Sequence, residues 1–328
     1  MWDKNSVLEI SGGFQRPCVL AAGAETGLFE ALTEGPADAV ELAERLDADP
    51  RATRILADAL AAMELLRKHE DRYEPAPGVE EVLTEKGGEN ALAMVLHRAN
   101  CLRAWAELAR VVKSGRPADT GPSIRGEEAD RESFIQAMDE INRQMAPHLV
   151  DAIGPPPFRH LLDLGGGPAT WTIAFLRAMP EARATLFDLP PVVPIGRRHV
   201  ETAGLADRVD FVAGDYMEVD SLPGGADLAW VSAIVHQHSR EENRRLFRKV
   251  HEALEPHGRI LIRDVVMDPN HTSPVGGALF AVNMLANTRG GDTFTFGELE
   301  EDLTGSGFSG CSLLRRGDHM DSVVQARR

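Results

Sequence analysis

The chain has 328 residues, enough material for two ordinary domains. It is 43% hydrophobic and 26% charged, and 35 basic against 51 acidic residues leave a net charge of −16. That balance argues against a polyanion as the main partner, because nucleic-acid affinity rests on phosphate neutralisation, and it fits a protein that handles a neutral or cationic small molecule.

The first residues, MWDKNSVLEISGG, hold no basic segment followed by an apolar one, so no signal peptide is expected. No run approaches the roughly 18 apolar residues of a membrane span. Cys18, Cys101 and Cys311 are scattered and odd in number, which suits a reducing compartment and neither a disulfide framework nor a cysteine zinc site. A cytoplasmic protein with no membrane partner is the expectation.

The first half reads as helical. Ala39, Leu42, Ala43 and Leu46 recur at helical spacing, and Asp49-Pro50 supplies an N-cap and a first-turn proline for the next helix. That helix is expected to turn Leu56, Ala59, Leu60 and Met63 inward. Leu65-Leu66, a charged turn over 68–72 and Tyr73 then suggest a β-wing. Two short helices and a wing describe a winged helix-turn-helix. Between Pro36 and Pro75, however, stand ten acidic and six basic residues, and the second helix offers only Arg51 and Arg54 against Asp58. DNA readers cluster Lys and Arg on that helix, so packing or dimerisation is favoured over a nucleic-acid or regulatory role. Further helix follows over 90–150, with Met94, Trp105, Phe134, Met138, Ile141 and Met145 as apolar positions for a core or subunit interface.

Gly154-Pro155-Pro156-Pro157 can continue neither a helix nor a central strand, and divides the chain into residues 1–150 and 151–328. Beyond it strand and helix alternate: strands over 160–164, 183–187, 209–212, 227–231 and 259–266, with helices over 169–178, 192–203 and 241–254. Such alternation predicts an α/β, Rossmann-like doubly wound domain with a mostly parallel sheet. Ligands in that architecture bind beyond the carboxyl ends of the strands.

Asp163-Leu164-Gly165-Gly166-Gly167 ends the first of those strands and opens its helix. Glycines there allow a tight turn and let a ligand touch the main chain. Asp188 lies 21 residues beyond Gly167, where a carboxylate accepts ribose hydroxyls. A nucleoside-containing cofactor is implied, and an NAD-dependent dehydrogenase stays open at this point.

DLGGG at 163–167, FDLP at 187–190 and GDY at 214–216 together resemble the S-adenosylmethionine pocket of class I methyltransferases. Across both halves the chain is similar to the two-domain small-molecule O-methyltransferases of the caffeic-acid and hydroxyindole type. That resemblance implies a homodimer built by the helical, winged-helix-like half and a small aromatic hydroxylated acceptor. It implies that Asp163, Gly165 and Gly167 border the methionine part of the cofactor. Asp188 would hold the ribose diol, and Leu189, Asp215 and Tyr216 would border the adenine. Ser232 stands where lysine is frequent.

His236, at the carboxyl end of strand DLAWVSAIV, matches the family's catalytic base. A phenol of pKa about 10 is mostly protonated at neutral pH, and a base that removes its proton contributes roughly 10² to 10⁴ in rate. Asp264 matches a glutamate that orients the imidazole, with one methylene fewer, and Asp292 lies beside Thr293 at the place of a second carboxylate. His236-x-His238 with Asp264 also admits a metal-ligand reading, as in a metal-assisted C-methyltransferase of a 2-oxo acid. The resemblance places the acceptor against Met138, Met145, Phe280, Asn283, Met284 and Asn287.

Overall fold

The computed structural model describes all 328 residues, which divide into two compact units. The first unit comprises residues 1–103 and 120–140, and the second 104–119 and 141–328.

In the first unit α1 (Lys4–Gly12), α2 (Gln15–Glu25) and α3 (Leu28–Ala31) precede strand β1 (Ala37–Asp38), then α4 (Ala39–Leu46) and α5 (Pro50–Ala62). Asp38 starts α4 with a reciprocal capping box to Glu41, and Asp49 caps α5 by accepting from the Ala52 amide at 2.8 Å. Strands β2 (Leu66–His69) and β3 (Arg72–Pro75) form the wing, in a three-stranded sheet ordered β1-β3-β2. The core is Leu28, Phe29, Leu32, Leu42, Ala57, Leu60 and Tyr73. The buried stripe of α5 is therefore Thr53, Ala57 and Leu60, while Leu56, Ala59 and Met63 are only half-buried. The inward face is rotated from the expected one, and Tyr73 of the wing donates to Asp58 of the same helix at 2.7 Å. Arg54 is paired with Asp58 at 2.9 Å. Helices α6 (Val79–Leu83) and α7 (Leu92–Ala106) follow.

Helix α8 (Leu108–Ser114) belongs to the second unit and most of α9 (Glu127–Asn142) to the first, and α10 (Met145–Ile153) belongs to the second. Its Ala146, Leu149 and Val150 are buried with Trp171 and Phe175. The second unit continues β4 (His160–Leu164), α11 (Thr170–Ala178), β5 (Arg183–Asp188), α12 (Val193–Thr202), β6 (Val209–Ala213), β7 (Ala226–Ser232), α13 (Arg240–Ala253) and β8 (Leu254–Asp264). Then come β9 (Val266–Met267), α14 (Val275–Asn287), β10 (Phe294–Thr295), α15 (Phe296–Thr304), β11 (Ser309–Arg315) and β12 (Ser322–Arg327).

The main sheet is ordered β11-β12-β8-β7-β4-β5-β6. Its five strands from β8 to β6 are parallel, and β12 and β11 close one edge antiparallel. The central strands are buried on both faces, which is why they read as unbroken apolar runs. Leu162, Leu164, Val231 and Ile262 line one face; Leu161, Trp230 and Leu261 alternate to the other. From β4 the chain proceeds first to β5 and β6 and then crosses to β7 and β8. The crevice of that reversal opens at the carboxyl ends of β4 and β7. No helix is long and apolar enough to cross a membrane.

Candidate active site

The glycine loop sits at that crevice. Gly165 and Gly167 adopt φ of +64° and +53°, a region that L side chains rarely enter. A Cβ on Gly165 would lie 2.6 Å from Ile234 Cδ1, the movable tip of that side chain, so the positive φ is the stronger reason for glycine there. At Gly167 nothing but the Gly165 carbonyl oxygen, 4.0 Å away, would meet a Cβ, which leaves the backbone open to a ligand. Asp188 at the end of β5 accepts from the Gly167 amide and from its neighbour Leu189, each at 2.7 Å. Burial pushes its carboxyl above the ordinary range. A carboxylate has about four lone-pair sites, so two remain to accept a diol. This acceptor and backbone cradle fit the ribose of a nucleoside.

Asp163 is buried beneath the loop, where the Thr172 hydroxyl donates to it. Burial, opposed by Thr172 and reinforced by Asp188, pushes its carboxyl up to about 7. Since the folded value lies above 3.8, the folded state holds this proton more tightly than the unfolded one. Stability from this group is thus greatest at low pH and falls as pH rises through the window from 3.8 to about 7. At 1.36 kcal/mol per unit, urea unfolding of the ligand-free protein should show a loss of roughly 2 kcal/mol from about pH 5.5 to 8.5 that Asp163→Asn lacks. An identical pH dependence in both proteins would contradict the protonated state.

Beyond β6, Asp215 turns its carboxylate onto the Met217 amide at 2.8 Å and so shapes its own loop. Lys249 of α13 braces the same loop by donating to the carbonyls of Tyr216 and Met217. Leu189 is exposed beside the crevice.

His236 lies on a single 3-10 turn (Val235–Gln237) directly after β7 and is 5% exposed. Its Nδ1 is 2.9 Å from both oxygens of Asp264, which is itself buried. A carboxylate only accepts, so Nδ1 carries a proton, and in the neutral ring this tautomer puts the lone pair on Nε2. Asp264 therefore reaches the ring despite its short side chain. Phe280 of α14 meets the imidazole edge to face, centroids 4.7 Å apart. The turn is pinned from behind: Asn243 donates to the Val235 carbonyl at 2.8 Å, and the Asp292 amide donates to the His236 carbonyl at 3.0 Å. A Cβ on Gly291 would lie 2.4 Å from that carbonyl oxygen, which accounts for glycine at this position.

Two expected roles are corrected by this geometry. Asp292 supports His236 with its backbone, while its exposed carboxylate caps the Thr293 amide at 2.7 Å. His238 does not converge with His236 on a metal position. Its Nε2 is in a hydrogen bond of 3.1 Å with the Tyr216 hydroxyl, and the Asp264 carboxylate is occupied by His236. No three His, Cys, Asp or Glu side chains are arranged to hold a metal ion.

Along α14, Phe280 and Asn283 stand one turn apart on one face. The Asn283 side-chain Oδ1 accepts from Trp105 Nε1 at 2.8 Å and from the Asn287 side-chain amide at 3.2 Å, which leaves its own side-chain amide as a donor. Met284 is 6% exposed and belongs to the core, and Met145 packs on the cluster around Trp171. Met138 lies on α9 in the first unit and is half-buried. Ser232 accepts from Arg263 Nη1 at 3.0 Å. Arg263, Asn243 and Lys249 are not singled out by any sequence pattern, because their partners come from other strands and loops.

Residues 105–309 match the model of an O-methyltransferase domain, and residues 8–85 that of an O-methyltransferase dimerisation domain. The chain is 31% identical to 3-hydroxy-5-methyl-1-naphthoate 3-O-methyltransferase of Streptomyces sahachiroi, over 94% of this chain and 89% of the relative. It is also 31% identical to the tetracenomycin polyketide synthesis 8-O-methyl transferase TcmO of Streptomyces glaucescens, over 92% and 91% of the two chains. The crystal structure of human N-acetylserotonin methyltransferase in complex with SAM superposes with a TM-score of 0.80 at 25% identity, covering 100% of this chain and 98% of that one.

Proposed function

The chain belongs to the O-methyltransferase family and uses S-adenosylmethionine, and on that premise we propose that His236 is the general base for methylation of a hydroxyl on a small aromatic acceptor. Family membership sets aside the dehydrogenase and regulator readings. The relatives named for naphthoate and tetracenomycin methylation support a fused-ring phenol as the acceptor class.

One observation carries the proposal: a buried imidazole whose Nδ1 is committed to Asp264, at the same strand rim as the glycine loop. S-adenosylmethionine supplies the electrophilic methyl group when bound. Asp163, Gly165, Gly167 and Asp188 hold the cofactor, with Leu189, Asp215, Tyr216 and Ser232 around it. His236 Nε2 takes the phenolic proton, and Asp264 stabilises the imidazolium that results. Phe280 and Asn283 position the ring, since displacement at the methyl carbon needs aligned partners.

Activity is expected to survive exhaustive chelation and His238→Ala within a few-fold. Asp264→Asn should lower turnover by roughly 10-fold, less than loss of the base itself, since it orients the ring without taking the proton. A chelator-sensitive enzyme that carries stoichiometric metal would overturn this chemistry in favour of a metal-assisted one.

The match to the dimerisation domain supports a homodimer. In the single chain α1 has no buried residue and exposes Val7, Leu8 and Ile10, an apolar face suited to a second copy. Light scattering should give about twice the 35.7 kDa chain mass, with no duplex DNA bound at low salt. A monomer, or salt-sensitive DNA affinity, would reject that reading.

A further inference from the structure

We propose that Arg263 binds the carboxylate at the methionyl end of the cofactor, through a guanidinium that the fold buries without an anion of its own. The proposal rests on the cofactor reading above. Arg263 is the penultimate residue of β8 and is 1% exposed. Its Nη1 donates to Ser232 Oγ at 3.0 Å on the neighbouring strand end, and its guanidinium lies 4.6 Å from the centre of the Trp171 ring, in the first turn of α11. Its Nε is buried and has no hydrogen-bond partner.

No carboxylate forms an ion pair with it. Asp264 is taken by His236 and the Val265 amide, and Asp321 by Arg315 and the His319 amide. A buried cation with no contacting anion costs several kcal/mol. In keeping with that, burial pulls the guanidinium down to about 10, against the opposing fields of Asp264 and Asp321. An anion delivered by a ligand removes the imbalance.

Strand order identifies the ligand group. Asp188 ends β5, the glycine loop ends β4, and Ser232 ends β7, in that sequence across the sheet. A cofactor whose ribose is held at Asp188 and which crosses the glycine loop therefore presents its far end to β7, beside Ser232 and Arg263. That far end carries its one carboxylate. The acceptor is a poor alternative source, because alternate residues of a strand point to opposite faces. Asp264 and His236 occupy one face, and Arg263, with Trp171, occupies the other.

Calorimetry with S-adenosylhomocysteine and 5′-methylthioadenosine separates the carboxylate from the nucleoside, since the second lacks the amino acid. Arg263→Met should weaken S-adenosylhomocysteine about 10- to 100-fold, the value of a charge-assisted hydrogen bond, and leave 5′-methylthioadenosine within about twofold. Arg263→Lys should keep part of the difference. Independently of how the variants fold, the wild-type protein should bind the carboxamide of S-adenosylhomocysteine about 10-fold or more weakly than the acid. Equal losses for both nucleosides in Arg263→Met, or equal wild-type affinity for acid and carboxamide, would overturn the assignment. Failure of both nucleosides to bind the wild-type protein would overturn the cofactor reading itself.

Discussion

Replacing His236 with alanine is expected to lower turnover of a phenolic acceptor by about 10²-fold or more, with S-adenosylhomocysteine affinity unchanged. The two effects separate because the imidazole touches Asp264 and Phe280, whereas the cofactor loop is built by Gly165, Gly167 and Asp188. The alanine variant should also stay folded. The turn that carries His236 is held through backbone groups, by Asn243 on the Val235 carbonyl and by the Asp292 amide on the His236 carbonyl, and neither contact needs the ring. A loss of cofactor affinity equal to the loss of turnover would instead make His236 a structural residue.

Asp188→Ala should weaken S-adenosylhomocysteine by about 10² or more in calorimetry. The carboxylate holds the Gly167 amide at 2.7 Å and, in the proposed site, would also receive the ribose hydroxyls, so its removal would take away the acceptor and loosen the loop. Hydrogen bonds to a charged group contribute about 1.5–3 kcal/mol each, and two of them account for a loss of that size. Asp188→Asn retains an oxygen that can accept from Gly167 and should cost about 10-fold. Unchanged affinity in the alanine variant would remove Asp188 from the cofactor site.

The features legible in the sequence are those whose chemistry is local. The DLGGG turn, the spacing to Asp188 and the position of His236 at a strand end each follow from a few contiguous residues, and the parallel strands announce themselves by being apolar throughout. What escaped depends on which strands lie side by side. Arg263 reads as an ordinary charge in RILIRD until β8 pairs with β7 and sets it under Ser232 and over Trp171. The β11–β12 hairpin went unseen because its alternation is weak and its partner, β8, lies far away in the chain. Asp292 and His238 carried suggestive side chains, yet backbone geometry turns one away from the ring and ties the other to Tyr216. The inner face of α5 is Thr53, Ala57 and Leu60 rather than the more apolar positions that periodicity selects, because tertiary packing against neighbouring elements decides it.

The central claim is that His236 removes the acceptor's proton, and the dependence of turnover on acceptor pKa tests it most directly. A series of naphthols differing in ring substituents is compared in the wild-type protein and in His236→Ala, at one pH and with saturating S-adenosylmethionine. With a base in place, the wild-type rates should vary little as acceptor pKa falls from about 10 towards the assay pH. The variant should rise steeply over the same series and approach the wild type for acceptors that ionise unaided. Parallel slopes in the two proteins would show that His236 does not take the proton, and would contradict the account.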